Sequence, residues 1–127
     1  MKVLKVEYNF GGGALICSGV DYLSEGATEE QRGERIRSEA ADWVTEDVDS
    51  SDLYPVDVGV ISDGQQFAAH ARFESRDGLE DELLASLGKM ADGQRLEVHD
   101  SDGGIFTVSY GEMTREECEA LPEFDGW

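Results

Sequence analysis

The sequence predicts a two-layer α+β domain: an antiparallel sheet built from three hairpins, with two main helices on one face. Three observations carry this. Short alternating apolar segments occur in adjacent pairs, each pair joined by a Gly-rich or Asp-Gly turn. Two longer segments repeat their apolar residues at helical spacing and lie between those pairs. The chain has 127 residues, the size of a single domain. The order is hairpin, helix, hairpin, helix, hairpin and a short terminal helix, and the whole chain, 1–127, reads as one unit.

In the first hairpin Leu4, Val6, Tyr8 and Phe10 face one way, and Lys5, Glu7 and Asn9 the other. Gly11, Gly12 and Gly13 break the strand, and Ala14 to Cys17 return. Neither Lys-Ser/Thr nor a helix pattern follows the glycines, so they read as a turn rather than a phosphate loop.

The longest helix is predicted over Thr28–Val48. Thr28 and Gln31 have capping-box spacing, Glu29 and Glu30 suit the positive helix start, and Ile36, Ala40, Trp43, Val44 and Val48 form one stripe. Gly33 weakens its first turns by ~1 kcal/mol relative to Ala. Residues 47–52 read as an acidic exit loop.

The second hairpin is predicted from Val56, Val58 and Val60, a Ser62-Asp63-Gly64 turn, and Phe67, Ala69, Ala71 and Phe73 alternating with Ala68, His70, Arg72 and Glu74. Asp77 with Glu80 suggests a helix start, Leu79, Leu83, Leu84, Leu87 and Met90 its apolar face, and Gly93 its end. Leu96 and Val98, the turn Asp100–Gly104, and Phe106, Val108 and Tyr110 give the third hairpin. Thr114 and Glu117 form a second capping box, Met113 and Cys118 occupy staple positions, and Leu121 precedes Pro122. Phe124 and Trp127 in the acidic tail are expected to fold back on the domain.

Net charge is −19, from 29 acidic and 10 basic side chains, and Lys2, Lys5 and Lys89 are the only lysines. Such a chain repels phosphate backbones and anionic membranes and favours cationic partners. The acids are concentrated. Residues 21–57 carry twelve against Arg32, Arg35 and Arg37, and residues 97–127 carry nine against Arg115. No apolar run approaches the ~20 residues of a spanning helix. No signal-peptide pattern precedes the first strand. Cys17 and Cys118 form no zinc or C-x-x-C pattern and read as reduced thiols, so a cytoplasmic protein is expected.

Signatures of catalysis are absent: no nucleophile elbow, no paired metal ligands, no cofactor fingerprint. Asp100-Ser101-Asp102-Gly103 lacks the third acidic ligand of a calcium loop, and Gly111 stands where a closing Glu belongs. No catalytic, metal or cofactor residue is therefore assigned.

The functional expectation is a non-enzymatic acidic protein that engages a basic protein partner. Glu30, Glu34, Asp42 and Glu46 are expected near one row of the first helix opposite its apolar stripe, and with Asp49 they are the expected contact row. Residues four apart rise ~6 Å along a helix, close to the spacing of neighbouring phosphates, so such carboxylates suit a Lys/Arg groove evolved for nucleic acid. Inhibitors of the anti-restriction or anti-CRISPR type work in this way. The alternative is a salt-adapted enzyme or ligand-binding domain whose acidity reflects a halophilic solvent. Its polar site would be His70, Arg72 and His99 on the sheet face away from the helices.

Overall fold

The computed structural model describes residues 2–17, 28–114 and 116–117. Its elements are β1 (Lys2–Tyr8), β2 (Gly13–Cys17), α1 (Glu29–Ser51), β3 (Val56–Ser62), β4 (Ala71–Phe73), α2 (Leu79–Lys89), β5 (Gln94–His99) and β6 (Ile105–Glu112). They form one six-stranded sheet in the order β2-β1-β6-β5-β3-β4, with every pairing antiparallel. The three predicted hairpins are β1–β2, β3–β4 and β5–β6.

Alternation decides which face each strand buries. Leu4, Val6, Val56, Val58, Leu96, Val98, Phe106 and Val108 point to one side, where they pack with Ile36, Ala40, Val44 and Val48 of α1 and Leu79, Leu83 and Leu87 of α2. Both helices therefore lie on the same face. Phe106 is fully buried at the centre, stacked on Tyr8 at 4.4 Å and met edge-on by Trp43 at 6.3 Å.

The capping box of α1 forms as predicted: Gln31 N–H donates to Thr28 Oγ1 at 3.1 Å, and Thr28 N–H to Gln31 Oε1 at 2.9 Å. The helix continues past the predicted stop, so residues 47–51 are its last turn and not a loop. Asp52 ends it in the left-handed conformation at φ 54°. At α2 the cap is Gly78, φ 82°, rather than Asp77, and the helix stops at Lys89. Gly93 belongs to the following turn, where Gln94 N–H donates to Ala91 O at 3.1 Å.

The Asp100 turn is braced from within. Asp100 Oδ1 accepts from the Asp102 and Gly104 amides, each at 2.8 Å, and Oδ2 accepts from the Tyr8 hydroxyl at 3.1 Å. A Cβ at Gly104 would collide with that carboxylate and that hydroxyl, which accounts for the glycine.

The strand predicted over residues 67–73 is shorter: β4 keeps Ala71–Phe73 alone. His70 N–H still donates to Val58 O at 2.8 Å, but residues 65–69 leave the ladder. They turn over Gly59, where a Cβ would stand 2.5 Å from Ala68 O and 2.9 Å from the Phe67 ring.

The second capping box also forms, with Glu117 N–H donating to Thr114 Oγ1 at 3.1 Å and Thr114 N–H to Glu117 Oε1 at 3.0 Å. Cys118, Leu121 and the tail with Phe124 and Trp127 lie outside the described residues, as does the Cys17 side chain. No helix among the described residues is long and apolar enough to cross a membrane.

Candidate functional site

The buried stripe of α1 leaves the rest of that helix to solvent, and Glu30, Glu34, Asp42, Glu46 and Asp49 are all exposed. They do not form the single row expected but occupy different flanks, because at 100° per residue positions 30 to 49 drift around the helix. Asp42 turns toward α2 and hydrogen-bonds Glu80, and that contact is the main reason the Glu80 carboxyl is raised above its ordinary value. Asp49 meets Arg76 at 3.4 Å. Glu46 borders a cleft of about 470 Å³ that also takes in Tyr8, Gly12, Trp43 and Asp47. Burial pushes the Asp47 carboxyl up. Glu30 stands at the rim of a second cleft, beside the first turns of α1. The five acids thus ring the helix layer, and Glu80, Asp81 and Glu82 in the first turn of α2 extend their field.

The helix-free face of the sheet carries a different constellation. Arg95, Glu97 and His99 alternate along β5. Glu97 is 8% exposed, between Gly59 of β3 and Thr107 of β6. Its Oε2 accepts from Arg95 Nε at 2.8 Å, and its Oε1 lies 2.7 Å from His99 Nε2. Burial pushes this carboxyl up, but the bonds from His99 and Arg95 outweigh it and hold it below the usual range. Phe67 stacks on the His99 ring at 3.7 Å with 12° between planes, and Arg95 also reaches Asp63 at 3.2 Å. Sequence reading did not single out Glu97, Arg95 or Phe67. The available signal was Gly59, a strand glycine of the kind that marks close approach of another chain segment.

Of the three polar residues expected here, two share this face and one does not. In register Asp57 lies opposite both Arg72 and His99, and Arg72 approaches it at 3.6 Å. His70 goes to the helix side, with Nε2 2.8 Å from Glu82 Oε1 and 3.4 Å from Ser86 Oγ. The cause is the departure of the chain from the ladder just before β4, which breaks the alternation between His70 and Arg72. Chemically, the known partners of His99 are already engaged: one ring nitrogen with Glu97 and one ring face with Phe67. This cluster braces the sheet. No group of three or more His, Cys, Asp or Glu among the described residues could hold a metal ion.

In comparisons with protein-family models, curated proteins and solved structures, nothing matches this chain.

Proposed function

We propose that this is a non-enzymatic binding protein whose acidic helix layer engages a basic protein partner in the manner of a nucleic-acid mimic. The observation that carries the reading is the exposure of Glu30, Glu34, Asp42, Glu46 and Asp49 around the helix layer, with Asp42 near enough to Glu80 across the seam to raise its carboxyl. Two carboxyls held that close repel one another when both are ionised. A Lys or Arg from a partner placed at the seam relieves that repulsion, so part of the binding free energy is stored in the free protein. The exposed acids on the flanks of α1 supply the long-range attraction that steers such a partner in. Engagement of a groove evolved for nucleic acid is tested by competition: the protein is expected to displace duplex DNA from a basic DNA-binding domain. Failure to displace it at any salt concentration contradicts mimicry.

A second reading, a salt-adapted enzyme or ligand-binding domain, is favoured by the exposed acids away from the helices. Glu7, Asp63, Glu74, Asp92 and Asp102 are such residues. On this account the acidity answers to the solvent, and its separation from the first reading rests on location of charge rather than amount.

A further inference from the structure

A cleft of about 630 Å³ opens between the first turns of α1, the end of α2 and the strand ends of β1 and β6. Unlike the acidic surface around it, its lining holds more cations than acids: Lys2, Arg32 and Arg37 against Glu30 and Glu112. Arg32 and Arg37 border it, and neither has an ion pair or side-chain hydrogen bond among the described residues. Two guanidiniums without an ion-pair partner among the described residues leave room for another anion, in a chain with 29 acids. Part of the wall is apolar and aromatic: Ile36 and Met90 are buried, and Tyr110 is partly exposed with its hydroxyl tied to Leu87 O at 2.9 Å. Lys2 adds a third cation, its ammonium 5.1 Å from the Tyr110 ring centroid, although Asp92 already holds it at 3.0 Å.

Gly33 provides the independent observation. It lies inside α1, where glycine costs ~1 kcal/mol against alanine. A Cβ there would stand 2.9 Å from an Arg37 guanidinium nitrogen. With no Cβ at Gly33, the Arg37 guanidinium lies back along the helix wall of the cleft, and a methyl there would move the end of that side chain.

We infer that this cleft binds a small organic anion, a phosphate or carboxylate head on a planar apolar body. The Arg32 and Arg37 forks grip the head, and Ile36, Met90 and Tyr110 enclose the body. This site adjoins the acidic helix surface at Glu30 and serves a ligand of opposite charge to the proposed protein partner.

The test uses the full chain and amide NMR shifts, with phenyl phosphate and benzoate as probes and inorganic phosphate and benzyl alcohol as half-probes. Both aromatic anions are expected to give saturable shifts centred on residues 32–37 and 88–90, with each half-probe about tenfold weaker or more. Arg32→Gln and Arg37→Gln each weaken phenyl phosphate by about tenfold. Gly33→Ala keeps the fold by circular dichroism, does not lower Tm, and weakens binding because the new methyl displaces Arg37. Absence of saturable shifts at millimolar probe overturns the inference. So does undiminished binding in both arginine variants, and so does inorganic phosphate binding as tightly as phenyl phosphate, which indicates an adventitious ion only.

Discussion

The Asp42 carboxyl of α1 acts on the Glu80 carboxyl of α2 across the helix seam, by hydrogen bonding first and by charge as well. The folded-state pKa of Glu80 is thereby raised above its unfolded value. A raised carboxyl contributes stability below its unfolded pKa and loses it as pH climbs through the folded one. Glu80→Gln keeps a donor for Asp42 at every pH. The variant is expected to be more stable than the parent at pH 7 by about 0.5 kcal/mol, the scale of an exposed like-charge pair, and equal to it near pH 4. Urea unfolding at the two pH values measures this.

Glu97 behaves with the opposite sign. Its carboxyl is held low by His99 and Arg95 against the cost of burial, so its contribution is present above the unfolded pKa and fades as pH falls through the folded one. Glu97→Gln turns an amide NH2 group toward one of the two partners, Arg95 or His99, that the carboxylate now serves. A loss of about 2 kcal/mol is expected at pH 7, shrinking below pH 4. Unfolding curves in that range, compared with those of the parent, give the answer.

Thr45 is fully buried in α1, and its hydroxyl has no hydrogen-bond partner among the described residues. Valine fills the same volume without a polar atom. Thr45→Val is therefore expected to stabilise the fold by about 1 kcal/mol, with no change in the urea m-value.

Much of the fold was legible because local chemistry and tertiary packing agree. Leu4, Val6 and Tyr8 alternate because one face of β1 meets the helices, and Thr28 with Gln31 caps α1 through bonds that need no distant partner. The Asp100 turn is equally local. What the sequence hides is non-local. Residues 67–73 alternate like a strand, yet Phe67 finds the His99 ring of β5 and pulls its segment off the ladder, which sends His70 to Glu82. Glu97 sits at an outward position of β5, and its burial comes from neighbouring strands and Phe67 rather than from its own segment. The acids of α1 were readable as exposed. Their distribution over several flanks, and the Asp42–Glu80 contact, depend on where α2 lies.

A continuous core from both helices and the sheet bears on the question of solvent. If the acids serve binding, this core carries the fold in ordinary buffer despite the net charge of −19. A cooperative thermal transition is expected in about 0.1 M KCl, where the Debye length is ~10 Å. Circular dichroism against KCl concentration reads it, and a fold that forms in molar salt alone favours the salt-adapted reading.

The central claim is that location of charge, not its total, makes the helix layer a binding surface. Two charge-matched variants test it against one Arg-rich peptide by calorimetry. One replaces Glu30, Glu34, Asp42, Glu46 and Asp49 with Lys; the other replaces Glu7, Asp63, Glu74, Asp92 and Asp102. The first is expected to abolish binding while the second stays within about tenfold of the parent. Equal losses in the two variants would contradict the account and leave the acidity to the solvent.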